Sequence, residues 1–205
     1  MPRPKSLSTV DIAAAALTIA DRDGLAALSM RSVADELGMG TMSLYRYVAD
    51  REQLEQLVVD LVLSGVDTNL QPRTGWRTRV TILAERARAA VIAHPAVVPL
   101  LLTHRSSSEH STRWGEAVLR VLADAGFNGT RRVIAFRAVL AYVIGALQLS
   151  HLGPLAGAGT QALAALPESK YPTLAETARH AQRVDPDTEF RQGLAALLRG
   201  IDTDE

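Results

Sequence analysis

At 205 residues, with 47% hydrophobic and 21% charged side chains, the chain is long enough for two small domains and too apolar to remain disordered. Its 22 basic residues are balanced by 22 acidic ones, so any contact with nucleic acid has to come from local placement of charge. Cysteine is absent, which excludes disulfides, thiolate metal sites and cysteine catalysis.

The N-terminus carries Arg3 and Lys5 with no apolar run behind them. It does not read as a signal peptide, and the chain is expected in the cytoplasm. Ser8 and Asp11 have the spacing of a capping box, opening a helix through Ile12, Ala16, Ile19 and Ala20 that ends near Asp23-Gly24. Ser29 caps a short helix with Val33, Ala34 and Leu37 on one face, and Gly38 supplies the backbone freedom to leave it. A second short helix is expected from Thr41 to Tyr47. Leu44 and Val48, four apart, point inward and leave Thr41, Met42, Ser43, Arg46 and Tyr47 outside. Two short helices joined by a glycine turn have the layout of a helix-turn-helix. The outer residues suit a major groove, where hydroxyls and guanidinium bond base edges or phosphates and methionine meets thymine methyl groups. Around this module lie Arg3, Lys5, Arg31, Arg46 and Arg51, whereas Asp21, Asp23, Asp35 and Glu36 are free to face away from DNA. Asp50 with Gln53 opens a fourth, amphipathic helix whose stripe is Leu54, Leu57, Val58, Leu61 and Val62, a connector over residues 50–63.

Beyond it, Gln71-Pro72-Arg73-Thr74-Gly75 breaks the pattern, and a helix from Trp76 to His94 carries Val80, Leu83, Ala84, Ala87 and Val91 on one side. A short apolar piece, Ala96 to Leu102, and a polar run, His104 to Thr112, precede a helix with Trp114, Val118, Val121, Leu122 and Ala125. Thr130 to Leu152 reads as one long helix, apolar nearly all round, which predicts burial on several sides. Its longest apolar run, Ala138 to Leu147, falls short of the roughly 20 residues of a membrane span, so no membrane is expected. Residues 153–160 and 166–172 are punctuated by glycine and proline and should be the least rigid part, with the reach of a lid. Asp185-Pro186 then starts a last helix with Phe190, Leu194, Leu197, Leu198 and Ile201 along one face.

The order of an Ala-rich helix, then Gly24-Leu-x-x-Leu-Ser-Met-Arg-x-Val-Ala-x-x-Leu-Gly-Met, then Ser43-Leu-Tyr-Arg-Tyr-Val and a capped helix with Leu-x-x-Leu resembles the tetracycline-repressor (TetR) family of bacterial transcription regulators. The resemblance covers Leu7 to about Val62, and the segment from Phe190 to Gly200 is similar to the family's last helix. It implies an all-α fold: a three-helix helix-turn-helix domain over residues 1–49 and a helical effector-binding and dimerisation domain over residues 50–205. By the same resemblance, Thr41, Met42 and Ser43 sit at base edges of a double-stranded operator, with Arg46 and Tyr47 at bases or phosphates. Ser29, Arg31, Tyr45 and Arg51 hold the DNA backbone. Two departures bear on phosphate clamping: Gly40 stands where the reading helix begins, and Ala49 where relatives often carry lysine. The long apolar helix needs cover that the striped last helix of a second copy would supply, and small residues such as Ala138, Ala141, Gly145 and Gly193 permit close approach. In the family these two helices form a four-helix interface between subunits, which implies a homodimer reading two half-sites.

The resemblance also implies a pocket for a small-molecule effector. Trp114, Phe136, Arg137, Tyr142 and Gln148 are the sparse polar and aromatic set that orients a ligand in an apolar helical domain. The competing assignment is ordinary packing, with Tyr142 bonding a neighbouring carbonyl and Arg137 pairing with Glu116 or Asp124. His94, His104, His110, His151 and His180 lack metal-ligand spacing and read as surface or satisfied core histidines, so no metal or cofactor is expected. Ser106 to Ser108 has no nucleophile elbow, and Gly153 to Gly159 lacks a phosphate-loop Lys-Ser/Thr, so nothing specific favours an enzyme. The expected function is that of a ligand-released, operator-binding repressor. The alternatives are a DNA-binding regulator without an effector and a helical small-molecule binder.

Overall fold

A computed structural model describes residues 7–71 and 74–201, and within them eleven α-helices and no strand. Arg3, Lys5, Pro72 and Arg73 lie outside the described residues. The chain forms two compact units, each assembled from two stretches. One takes in the described part of Met1–Asn69 together with Arg86–Ala117, the other Leu70–Glu85 with Val118–Glu205.

The first unit begins with α1 (Thr9–Asp23), and the Ser8–Asp11 capping box is present: the Asp11 amide donates to Ser8 Oγ at 3.2 Å and the Ser8 amide to Asp11 Oδ2 at 2.9 Å. Gly24, at φ 82°, ends it. A 3-10 turn (Leu25–Ala27) leads to α2 (Met30–Glu36), α3 (Thr41–Leu44) and α4 (Arg51–Ser64). Asp50 caps α4 by accepting the Gln53 amide at 2.9 Å, while Gln53 reaches back one residue further than expected and accepts the Ala49 amide at 2.7 Å. The end of α5 (Trp76–Ile92), a 3-10 turn at Pro95–Val97, α6 (Val98–His104) and the start of α7 (Glu109–Asp124) complete the unit. Helix α5 stops two residues before the expected His94, which instead caps the proline-initiated turn. α1 packs on α4 and α4 on α6, around buried Ile12, Ile19, Leu28, Leu44, Leu54 and Val58. Each such side chain contributes on the order of 1.5–3 kcal/mol by leaving water.

The second unit holds the start of α5, the end of α7, α8 (Gly129–Leu152), α9 (Ala158–Ala164), α10 (Pro172–Ala181) and α11 (Pro186–Ile201). Trp76 packs edge-on against Phe127, with ring centroids 5.1 Å apart. α11 starts as expected: Asp185 Oδ2 accepts the Thr188 amide at 2.8 Å, and Phe190, Leu194 and Leu198 are buried. Residues 153–171 are not one open loop, because α9 forms inside them and packs against α10. Within the single chain α8 is buried at Ala135, Val139, Val143 and Leu147. Val133, Ile134, Leu149 and Leu152 are 55%, 62%, 67% and 77% exposed, while α11 packs on α8 within the second unit.

Candidate nucleic-acid interface

The helix-turn-helix is fixed at each joint by a local bond that its residue types permit. Ser29 and Ser32 form a reciprocal capping box at the start of α2, each backbone amide donating to the other hydroxyl at 3.0 Å. At its end the Gly38 amide donates to Asp35 at 3.1 Å and the Met39 amide to Ala34 at 2.9 Å, with Gly38 at φ 64°. This paired closure needs the left-handed conformation that glycine adopts without strain. The turn delivers the chain to Gly40, which precedes α3 with no side-chain cap.

α3 is one turn shorter than its expected span to Tyr47. After Leu44 the bonding tightens, with the Arg46 amide donating to Ser43 at 3.4 Å and that of Tyr47 to Leu44 at 2.9 Å. Within this segment only Leu44 and Val48 are buried, as their spacing requires. Met42 is 80% exposed, Tyr45, Arg46 and Tyr47 are exposed, and Thr41 and Ser43 are half-buried. The segment is thus pinned by two aliphatic residues and presents its hydroxyl, thioether, phenol and guanidinium groups outward.

The flanking residues divide. Ser29 has its hydroxyl engaged in the capping box, and Arg31 is exposed, 3.9 Å from Asp35. Arg51, at the first turn of α4, donates from Nε to Glu55 Oε1 at 2.8 Å and from Nη2 to the Leu25 carbonyl at 3.2 Å. The acids of the module are drawn into internal pairs: Arg22 lies 2.9 Å from Asp23 and 3.1 Å from Glu36, and Asp21 accepts from His94 Nδ1 at 2.7 Å. Hydrogen bonds to Asp23 first and Glu36 second raise the Arg22 guanidinium above its ordinary pKa.

Two further links hold α4, and neither has a signature in the sequence. His104, buried at the end of α6, donates from Nε2 to Glu55 Oε2 at 3.0 Å. Asp60 Oδ1 accepts the Ser108 hydroxyl at 2.7 Å and the His110 amide at 3.1 Å, so a carboxylate of α4 caps α7 from another helix. The His110 Nδ1 atom is 2.9 Å from the same oxygen but off-line for a directed hydrogen bond. Burial opposes ionisation of Asp60; the Ser108 hydroxyl, the His110 amide and the His110 ring outweigh it and hold the carboxyl below its ordinary range. His104 is therefore a satisfied core histidine, as its isolation in sequence implied. These contacts are pairs, and among the described residues no group of three or more metal-ligating side chains converges.

The five residues considered for a ligand fall in two places. Trp114 is buried on the part of α7 that belongs to the first unit, whereas Phe136, Arg137, Tyr142 and Gln148 are on α8 in the second. Arg137 is exposed and shares one face of α8 with Gln148, three turns on; Phe136 and Tyr142 leave from different sides. The Tyr142 hydroxyl donates to the Phe190 carbonyl at 2.9 Å, the neighbouring-carbonyl bond that its competing assignment foresaw. Asp124 bonds Arg79 at 3.1 Å.

Residues 68–204 match the family model described as the tetracyclin repressor-like C-terminal domain. Over 205 aligned residues the chain is 31% identical to an HTH-type transcriptional regulator of Saccharopolyspora erythraea, covering 97% of this chain and 86% of that one. Among solved structures it is similar to ActR of Streptomyces coelicolor in complex with (S)-DNPA, at 26% identity and a TM-score of 0.83, covering 97% and 98% of the two chains. ActR in complex with actinorhodin gives 25% identity and 0.82, covering 97% and 96%.

Proposed function

The chain belongs to the TetR family of transcriptional regulators, and from that membership we propose that it is a homodimeric repressor, released from a pseudo-palindromic operator by a small apolar or amphipathic effector. The observation that carries the DNA-binding part is α3: a helix start held from below by Leu44 and Val48, with Met42, Tyr45, Arg46 and Tyr47 exposed beside half-buried Thr41 and Ser43. Thr41, Met42 and Ser43 read base edges, Arg46 and Tyr47 meet bases or phosphates, and Arg31, Tyr45 and Arg51 hold the backbone. Ser29 serves this contact through the cap it places on α2. The regulators of this family act by binding and not by bond-making, and a DNA-bound protein of this kind works in the cytoplasm.

In functional terms residues 1–49 read DNA, residues 50–205 bind effector and partner, and α4 joins them. Dimerisation uses the exposed side of α8 with α11. By length and composition α8 qualifies as a membrane-spanning helix, with a mean hydropathy of 1.8 over its most apolar 18 residues and 22% of that window buried. A helix of this kind in a DNA-binding protein finds its apolar cover in a second subunit. The ligands in the ActR complexes support a small-molecule effector, for which Phe136, Arg137, Tyr142 and Gln148 of the second unit remain proposed contacts.

The test is to select duplexes from a random library, footprint the best, and screen apolar and amphipathic compounds for thermal stabilisation. A repressor protects two half-sites about one helical turn or its multiple apart. An effector then weakens the operator by roughly fivefold to 150-fold, and the operator weakens the effector by the same factor. Identical effector affinity for free and DNA-bound protein would exclude this control; selection that recovers no preferred duplex would exclude the DNA reading itself.

A further inference from the structure

The three side chains Arg51, Glu55 and His104 are linked in series from the buried end of α6 to the exposed first turn of α4. Their side chains are 48%, 16% and 3% exposed in that order. Glu55 uses its two oxygens separately: Oε1 accepts Arg51 Nε at 2.8 Å, and Oε2 accepts His104 Nε2 at 3.0 Å. The Leu25 carbonyl takes Arg51 Nη2 at 3.2 Å. An arginine side chain free in water samples many rotamers, and each one restrained before contact removes part of the entropy that binding costs. Here one edge of the guanidinium is tied to α4 and to the turn after α1, and among the described residues Nη1 takes no hydrogen-bond partner.

We propose that Glu55 and His104 are positioning residues for operator binding: His104, fixed in α6, orients the Glu55 carboxylate, and Glu55 orients Arg51 toward a DNA phosphate. The inference rests on the reading of Arg51 as a phosphate contact. Its force comes from charge and place. Glu55 lies beside the DNA-facing surface, where a carboxylate acting through charge alone would repel the phosphates, so its use there is to hold a cation in line. The same series ties the aim of Arg51 to the position of α6, because a shift of His104 away from α4 releases the second oxygen of Glu55.

The experiment uses the full-length protein and a fluorescent duplex selected by the wild-type chain, with affinity measured by anisotropy across a series of KCl concentrations. Arg51→Ala, Glu55→Ala, Glu55→Gln, His104→Leu and the doubles with Arg51→Ala are compared, each checked for native helicity and melting. Glu55→Ala and His104→Leu are expected to weaken binding by roughly threefold to tenfold per half-site. The magnitude of the salt slope should fall by about one for each DNA phosphate that the variant no longer neutralises. Glu55→Gln, which keeps a carbonyl acceptor for Arg51, recovers part of that loss. In the Arg51→Ala background both substitutions become silent. Equal losses with and without Arg51, an unchanged salt slope, or tighter binding by Glu55→Ala would each overturn the proposal. If His104→Leu does not fold, the Glu55 pair decides alone. Should Arg51→Ala itself leave affinity and slope unchanged, Arg51 is not a phosphate contact, and the inference falls with that assignment and not with Glu55.

Discussion

Asp60 and Ser108 are joined by a 2.7 Å hydrogen bond that ties the middle of α4 to the first turn of α7, and the same carboxylate oxygen takes the His110 amide. Four residues earlier in α7's approach, His104 holds Glu55, so the junction between α6 and α7 grips α4 at two carboxylates. In the function proposed above α4 connects reading and sensing, and these two polar links add to its apolar packing through Leu54 and Val58.

Replacing Asp60 by Asn should therefore destabilise the protein at neutral pH, by up to about 1.5–3 kcal/mol, the range for a hydrogen bond to a charged group. The pH dependence has a definite sign. A carboxyl held below its ordinary value of 3.8 contributes stability that is complete above that value and disappears as the pH falls through its folded-state value. Urea midpoints of wild type and Asp60→Asn should differ at pH 7 and converge as the pH is lowered below 3.8; a constant difference would mean that ionisation of Asp60 plays no part.

Gly193 lies under the Tyr142 ring, and a Cβ built there collides with the hydroxyl and comes within 3.0 Å of Cζ. Gly193→Ala should displace the ring, break its bond to the Phe190 carbonyl and cost about 1–3 kcal/mol. Tyr142→Phe removes the colliding atom, so the double variant should lose clearly less than the sum of the two singles. Additive losses in thermal melts would place the strain elsewhere.

The exposed side of α8 predicts the outcome of charging it. Ile134 is 62% exposed, so Ile134→Asp should leave the folded chain near wild-type stability while disrupting a subunit interface. Sedimentation is expected to report a monomer at micromolar concentration, with operator affinity reduced because two half-sites are no longer read together. A dimer of unchanged mass would put the interface on another surface.

Arg46 and Arg51 should separate reading from positioning. Arg46 is exposed just past the tightened end of α3, and Arg46→Ala should weaken the selected duplex more than random DNA, by about 1–3 kcal/mol if its contact is bidentate to a base. Arg51→Ala should weaken both duplexes alike. Parallel losses for both variants on both DNAs would make Arg46 a phosphate contact.

What the sequence determined by itself is what adjacent residues settle among themselves. The Ser8–Asp11 box, the cap at Asp50, the glycine exit at Gly38 and the stripes Val80-Leu83-Ala84-Ala87-Val91 and Phe190-Leu194-Leu198 follow from hydrogen bonds and periodicities spanning four residues or one helix face, and all are present. The outward set on α3 was legible for the same reason: Leu44 and Val48 leave the other side chains no core to enter. Only the tertiary structure decided which carboxylates meet which histidines. Glu55 and His104 are 49 residues apart and Asp60 and Ser108 are 48 apart, and no spacing rule connects positions brought together by the packing of α4 on α6 and α7. It also decided the early tightening after Leu44, the folding of α9 within a Gly/Pro-rich stretch, and the one-sided burial of α8. Apolar composition says that a helix face avoids water; it does not say whether a helix of the same chain is there to cover it.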